Sequence, residues 1–168
     1  MKVLGIDPGI ALTGYGIIES SGNKLAPLAY GCITTLSNDT LTHRLKIIYH
    51  DLIEIINKYE PEVLSVEELF FAANTKTAIT VGHARGVIIL AAANSNISVA
   101  EYTPLEIKQA LTGYGHAEKH QVQNMVKNLL GLSSIPKPDD IADGLAASIC
   151  HINSYKLKQF NNTKKLKR

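Results

Sequence analysis

The order of the apolar segments along the chain constrains its fold more than any other feature. Residues 2–7 form an apolar run typical of a buried strand, and further strand patterns follow at 15–19 and 25–35. Ser21-Gly22-Asn23 lies between the second and third patterns and predicts a hairpin turn. The chain is therefore expected to begin with three sequential strands.

Helical and strand patterns alternate through the rest of the chain. Helices are predicted at residues 41–59, at 75–94, after the Thr103-Pro104 cap, at 118–130 and at about 139–153, with strands at 62–66 and 97–101. Hairpins followed by this alternation predict an α/β protein with a mixed five-stranded sheet flanked by helices. The carboxyl ends of the parallel strands in such a sheet share one edge, where ligands bind.

Composition places the chain among ordinary single-domain proteins. It has 168 residues, of which 45% are hydrophobic and 19% charged, and such a length can bury a substantial core. No apolar run approaches the roughly 18 residues of a membrane span, and the N-terminus lacks the layout of a signal peptide. A cytoplasmic location is expected, with Cys32 and Cys150 as buried free thiols.

The charge distribution separates the end of the chain from its body. The last residues carry six basic side chains and no acid: Lys156, Lys158, Lys164, Lys165, Lys167 and Arg168. Removing these six from the 17 Lys and Arg leaves 11 basic residues against 15 acidic ones. We expect a domain over residues 1–153 and a flexible basic tail over 154–168. The tail suits a polyanion, but it could equally serve solubility.

Four carboxylates stand where they could meet: Asp7, Glu67, Asp140 and Asp143. Asp7 and Glu67 follow apolar strand patterns, whereas Asp140 and Asp143 are three residues apart on a predicted helix. Clustering four acids is costly unless cations neutralise them, so a hard cation, Mg²⁺ above all, explains the pattern. Asp7 also has a structural alternative, because an Asp before Pro-Gly can form an Asx-turn.

Two of the four positions have competitors in the sequence. Glu68 follows Glu67 directly, and strand alternation allows only one of the two to point toward the cluster. Asp139 could share a helix face with Asp143, but it directly follows Pro138 and is the natural N-cap. Spacing alone favours Asp140 over Asp139 only modestly, and it does not decide whether Glu67 or Glu68 joins the cluster.

Several motifs together resemble a known family. They are Gly5-Ile6-Asp7-Pro8-Gly9 with Thr13-Gly14-Tyr15-Gly16, Val66-Glu67-Glu68-Leu69-Phe70, Gly82-His83-Ala84-Arg85-Gly86, Lys108-Gln109, Gly113-Tyr114-Gly115-His116-Ala117-Glu118-Lys119 and Asp140-Ile141-Ala142-Asp143-Gly144-Leu145-Ala146. In this order and at these separations, over residues 1–153, they resemble the RuvC family of Holliday junction resolvases. These are bacterial endonucleases with the ribonuclease H-like fold.

The resemblance implies a metal site and a reaction. The family's metal-binding and catalytic carboxylates fall on Asp7, Glu67, Asp140 and Asp143. The resemblance thus selects Glu67 over Glu68 and, through the D-x-A-D pattern, Asp140 over Asp139. It implies two Mg²⁺ ions, replaceable by Mn²⁺, and phosphodiester hydrolysis that leaves 5′-phosphate and 3′-hydroxyl ends.

The resemblance also implies residues that contact DNA. Lys108 and Lys119 match lysines that the family uses on the DNA backbone, and Lys119 is further expected to neutralise charge at the scissile phosphate. Phe70 matches an aromatic residue that stacks on bases near the junction centre. For Arg85, both a structural role and a DNA contact stay open, and Phe71 receives no role.

The expected partners follow from the substrate. A four-way junction has two-fold symmetry, so a homodimer that makes paired nicks is expected, with the apolar helix 75–94 as its interface or as core. Branch-migration proteins of the RuvA and RuvB type are further implied partners, and a membrane is not.

Two other functions compete with junction resolution. Asp7-Pro8-Gly9 also resembles the phosphate-binding turn of actin and sugar-kinase ATPases, but those proteins enclose their nucleotide between two lobes and this chain supplies one. A nuclease for RNA–DNA hybrids is the nearer alternative.

Overall fold

The computed structural model describes residues 1–68 and 75–165. Its strands are β1 (Lys2–Asp7), β2 (Leu12–Ser21), β3 (Lys24–Thr34), β4 (Val63–Glu67) and β5 (Ser98–Tyr102). Its helices are α1 (Leu41–Tyr59), α2 (Thr75–Asn94), α3 (Pro104–Thr112), α4 (Lys119–Leu129) and α5 (Asp139–Lys165). The predicted order of strands and helices is confirmed.

The five strands form one mixed sheet in the order β3-β2-β1-β4-β5. The first three strands pair antiparallel, as the hairpin patterns predicted. Strand β4 pairs parallel to β1 on one side and to β5 on the other. Because β1 and β4 are parallel neighbours, their carboxyl ends open onto the same edge of the sheet.

Each face of the sheet carries its own hydrophobic core. Val3 points into the core beneath α3, α4 and α5, whereas Leu4 points into the core beneath α1 and α2. This alternation explains why β1 reads as a continuous apolar run, since both of its faces are covered. The sheet is thus fixed from both sides at the strand that ends in Asp7.

Helix α5 approaches the sheet closely because glycines face it. A Cβ atom on Gly14 would lie 1.9 Å from the carbonyl oxygen of Asp140. A Cβ on Gly5 would lie 2.1 Å from the carbonyl oxygen of Gly144. Only residues without a side chain permit this backbone contact, which brings the first turns of α5 directly onto β1 and β2.

Two buried serines fasten the middle of α5 to the sheet. The Ser148 hydroxyl donates to the carbonyl of Gly16 at 2.8 Å, and the Ser65 hydroxyl donates to the carbonyl of Ala147 at the same distance. Both serines are fully buried. Their hydroxyl groups are satisfied, so the interface is neutral and without the cost of an unpaired polar group.

The last helix is longer than the sequence predicted. Residues 154–165 were assigned to a flexible basic tail, but α5 continues through Lys165. No Gly or Pro interrupts these residues, and Lys, Leu and Gln are good helix formers. The ring of Tyr155 also stacks on His151, with 6.3 Å between the centroids. The backbone therefore remains helical where the polar sequence shows no strong hydrophobic periodicity.

The two cysteines differ in how deeply they are buried. Cys150 is buried as predicted, but Cys32 is only partly buried, because its strand lies at an edge of the sheet. Neither thiol is in a disulfide. Among the described residues, none of the helices has the length and hydropathy needed to cross a membrane.

Candidate active site

The candidate site lies at the edge where β1 and β4 end. Asp7 is the last residue of β1 and Glu67 is the last residue of β4. The two strands are parallel neighbours, with Ile6 opposite Val66. Convergence of Asp7 and Glu67 was predicted on the condition that their strands pair, and the strands do pair.

The first turn of α5 brings the other two acids to this edge. Asp140 sits against Gly14, which is the residue of β2 that pairs with Asp7 at the end of β1. Asp143, one turn further along, accepts from Lys119 Nζ at 3.0 Å. The glycine contact therefore determines where the two helical carboxylates stand, and all four predicted acids gather at one edge.

Asp139 differs from its predicted role. It was expected to precede the helix as its N-cap, but it is the first residue of α5. Its carboxylate accepts from Lys137 Nζ at 2.5 Å and lies 3.6 Å from Lys119 Nζ. It therefore forms exposed ion pairs with Lys137 and Lys119 beside the cluster.

A cavity of about 230 Å³ opens beside the acids. Its walls are Glu67, Pro104, Ile107, Lys108, Lys119, Val122, Asp143 and Ala146. Helices α3 and α4 supply the two lysines. The Thr103 hydroxyl caps α3, and the Gln121 side chain accepts from the Glu118 backbone N–H at the start of α4. Capped helix ends thus hold two cations opposite two carboxylates.

Among the four carboxylates, Asp7 has the most strongly shifted pKa. Burial raises the pKa of its carboxyl group to about 8, and the charges of Asp143, Glu67 and Asp140 act in the same direction. Lys119 opposes the shift but does not cancel it. The protein alone therefore supplies too little positive charge to keep Asp7 ionised at neutral pH.

Glu67 and Asp143 show the same imbalance. Burial raises the pKa of Glu67, with a further contribution from Asp143, while Lys108 and Lys119 lower it. Burial also raises the pKa of Asp143 despite its hydrogen bond with Lys119. For Lys119, burial works to lower the pKa, but Asp143, Asp139 and Asp7 raise it above its usual value. Lys119 is therefore a permanent cation.

This donor set fits a hard divalent cation. It consists of carboxylate oxygens, which Mg²⁺ and Mn²⁺ prefer, and the raised pKa of Asp7 reflects its burial together with the uncompensated negative charge around it. Over residues 1–68 and 75–165, no three His, Cys, Asp or Glu side chains are close enough to enclose an ion as they stand. Mg²⁺ does not require such a cage, because it keeps several waters and takes substrate phosphate oxygens.

Other residues singled out in the sequence lie around this cluster. Glu68 is exposed, and its backbone N–H donates to the carbonyl of Tyr102 at 2.8 Å. Arg85 Nε donates to the carbonyl of Glu67 at 3.3 Å, a contact that the sequence did not predict. Phe70 and Phe71 lie outside the described residues. No local pattern could have indicated the Arg85 contact, because it joins a helix to a strand end.

Comparison with known proteins supports one family. The family model described as crossover junction endodeoxyribonuclease RuvC matches residues 3–151. A curated relative of that name from Desulforamulus reducens is 59% identical over 151 residues, covering 90% of this chain and 93% of the relative. A relative from Halothermothrix orenii with the same name is 56% identical, covering 98% of this chain and 99% of the relative.

Solved structures agree with the sequence comparison. The structure of Thermus thermophilus RuvC matches with a TM-score of 0.87 and 35% identity, covering 94% of this chain and 97% of that one. A structure of T. thermophilus RuvC in complex with Holliday junction substrate matches with a TM-score of 0.86 and 32% identity, covering 94% and 96% of the two chains. The predicted ribonuclease H-like fold, with its mixed five-stranded sheet, is confirmed.

Proposed function

The chain belongs to the RuvC family of crossover junction endodeoxyribonucleases, and we propose that it resolves Holliday junctions by paired, symmetric nicks during recombination and DNA repair. The observation that carries this proposal is the acid cluster at the ends of β1 and β4, with its excess negative charge and its two adjacent lysines. Such a site suits a polyanionic substrate that arrives with divalent cations.

We propose Mg²⁺ as the physiological metal, two ions per subunit, with Mn²⁺ able to substitute. Asp7, Glu67, Asp140 and Asp143 would hold them. Bound at the scissile phosphate, such ions activate water and neutralise charge on the leaving oxygen. By fixing the positions of these ions, the carboxylates would set the orientation of the phosphate for in-line attack, and the products would carry 5′-phosphate and 3′-hydroxyl ends. The raised pKa of Asp7 supports a ligand role, because a divalent ion would compensate the charges that oppose its ionisation.

Lys108 and Lys119 would bind different phosphates of the DNA. Lys119 contacts Asp143 at 3.0 Å and would also neutralise charge at the scissile phosphate. Lys108 lines the same cavity from α3 and would contact the DNA backbone. Both lysines place positive charge in a cavity that is also lined by carboxylates, where it would attract a DNA phosphate.

Phe70 is proposed to stack on DNA bases near the junction centre. This assignment comes from the resemblance in Val66-Glu67-Glu68-Leu69-Phe70. Phe70 follows the proposed ligand Glu67 by three residues in the sequence, and an aromatic side chain suits stacking on opened bases.

A homodimer is proposed, with α2 as the subunit contact. Ile79, His83, Gly86 and Leu90 form an exposed stripe on this helix. Ile79 is 56% exposed and Leu90 is 52% exposed, and a Cβ on Gly86 would meet open space. Spacings of four, three and four residues suit a helix packed against its own copy, and two-fold symmetry matches that of a four-way junction.

The remaining partner assignments are proposals of the same kind. We propose that residues 1–153 form the nuclease domain and that the basic residues of 154–168 contact nucleic acid outside the acid cluster. Branch-migration proteins of the RuvA and RuvB type would deliver the junction, in the cytoplasm.

A cleavage panel tests the proposal. A four-way junction, a linear duplex and an RNA–DNA hybrid are incubated with the protein in Mg²⁺, in Mn²⁺ and in EDTA. We expect symmetric nicks in the junction alone, with either metal, and religation of the products by a ligase that requires 5′-phosphate. Preferential cutting of the hybrid would replace the proposal with the alternative nuclease function.

A further inference from the structure

Arg85 is a largely buried cation that joins α2 to the strand ends beside the acid cluster. Its side chain is 18% exposed, and its guanidinium forms an ion pair with Glu101 on β5. Its Nε donates to the carbonyl oxygen of Glu67, the last residue of β4, at 3.3 Å. One side chain therefore fastens a helix to two neighbouring strands.

The main chain at Glu67 depends on contacts from one side only. Strand β1 pairs with β4 as far as Ile6 and Val66, so Glu67 lies one residue past the last of those pairs. On the other side it pairs with Tyr102 of β5, whose carbonyl accepts from the N–H of Glu68. Arg85 supplies the additional contact at the point where the chain leaves the sheet.

A direct DNA contact by Arg85 fits these observations poorly. Arginines that contact DNA phosphates present free N–H groups at an accessible surface. Here Nε is engaged by the Glu67 carbonyl and the charge is neutralised by Glu101. The neighbouring residues Ala84 and Ile88 are fully buried, so this part of α2 is anchored in the core.

We propose that Arg85 is a positioning residue for the nuclease reaction. By holding the carbonyl of Glu67, it fixes the end of β4 and thereby aims the Glu67 carboxylate at the acid cluster. It acts through the main chain and touches neither the metal nor the DNA. The inference rests on the proposed function, since the consequence for cleavage requires that Glu67 bind the metal.

The test compares Arg85→Gln and Arg85→Lys with the matched control Arg44→Gln. Arg44, in the first turn of α1, likewise donates through Nε at 2.7 Å, but to the hydroxyl of Thr35, which directly follows β3. Amide hydrogen exchange is measured by NMR in the metal-free protein at Glu68 and at Leu64, the second residue of β4. The Mg²⁺ concentration that gives half-maximal junction cleavage and the junction affinity in EDTA are measured in parallel.

The expected results separate positioning from general stability. Arg85→Gln should speed exchange at Glu68 by about 5- to 10-fold, the equivalent of one lost hydrogen bond, while Leu64 exchanges at the wild-type rate. Half-maximal cleavage should require about tenfold more Mg²⁺, as when a metal ligand loses its support. Arg85→Lys should fall between the wild type and Arg85→Gln, and Arg44→Gln should change neither quantity.

Three results would overturn the inference: wild-type values for both quantities in Arg85→Gln, equal acceleration at Glu68 and Leu64, or lost junction affinity with unchanged Mg²⁺ dependence. If Arg85→Gln does not fold, Glu101→Gln takes its place and must shift both quantities in the same direction. Failure of the wild type to cut junctions would refute the proposed function, whereas the exchange measurement still decides the positioning role.

Discussion

The middle and the start of α5 meet the same sheet in opposite ways. The middle is neutral and close, with Ser148 bonded to a β2 carbonyl and with Leu145 and Ile149 fully buried. The start presents Asp140 and Asp143 to a cluster in which burial and like charges raise the pKa of Asp7 to about 8. The favourable packing in the middle of α5 therefore holds the start of the helix in place, although the carboxylates gathered there repel one another. Such a combination is common at functional sites.

Removing a carboxylate from the start of α5 should have the largest effect on activity. Removing a group that only supports a metal ligand costs about 10- to 100-fold, so Asp143→Asn should lower the single-turnover cleavage rate by more than about 100-fold. The matched control is Asp139→Asn, which alters the other acid near Lys119 but lies outside the proposed ligand set. Equal losses of the cleavage rate in the two variants would show that Asp143 has no role that Asp139 lacks.

Lys119, the cation on α4 that faces the start of α5, should have a smaller effect. Lys119→Ala should lower the single-turnover rate by about tenfold, because it supports Asp143 and the phosphate without holding the metal. Junction affinity, measured by gel shift in EDTA, should fall much less. Lys137→Ala removes the lysine that contacts Asp139 alone and serves as the control. A loss of affinity as large as the loss of rate would reassign Lys119 to substrate binding.

The close contact of α5 with the sheet can be broken by one methyl group. Gly14→Ala places a Cβ against the Asp140 carbonyl, and overpacking of this kind costs about 1–3 kcal/mol of unfolding free energy. Urea denaturation measures that loss, which should be accompanied by reduced cleavage because Asp140 is displaced. Gly86→Ala, where the added methyl has open space, should not destabilise the monomer. Unchanged stability in Gly14→Ala would mean that the helix start is not pinned by this contact.

Asp7 should also make the stability of the folded protein depend on pH. In EDTA the folded protein keeps a proton on Asp7 up to about pH 8, whereas the unfolded chain releases it near the ordinary value of 3.8. The folded state therefore binds more protons between these values, and the contribution of Asp7 to stability is lost as the pH rises through that window. Asp7→Asn should flatten the profile and raise the Tm at pH 8 by a few degrees.

The same pH experiment has an internal control. The pKa of Asp139 is held below its usual value by the hydrogen bond from Lys137, so Asp139→Asn should not raise the Tm at pH 8. Thermal melts of the three proteins in EDTA from pH 4 to pH 9 make the measurement. A profile of Asp7→Asn that parallels the wild type would remove Asp7 as the source of the pH dependence.

Much of this arrangement could be predicted from local patterns. The apolar runs that end at Asp7 and near Glu67 specify strands, and parallel strands present their carboxyl ends at one edge. The cap Thr103 and the following Pro104 specify the start of α3. These features are set by residues close together in sequence, so a pattern along the chain is enough to reveal them.

Other features depend on contacts between distant segments. The bond from Arg85 to the Glu67 carbonyl arises only after α2 has packed on the sheet, so Arg85 could not be assigned from its motif. The ion pair of Asp139 likewise depends on a distant segment, since it joins α5 to Lys119 on α4. The helical course of residues 154–165 was missed because their polar sequence carries no strong periodicity.

The central claim is that the acid cluster at the start of α5 is a metal-dependent site for cutting junctions. Its most direct test is single-turnover cleavage of a four-way junction in Mg²⁺ by the wild type and by Asp7→Asn, with junction affinity measured in parallel. On this claim the wild type makes symmetric nicks, and the rate for Asp7→Asn is lower by more than about 100-fold at unchanged affinity. Cleavage by Asp7→Asn near the wild-type rate would contradict it.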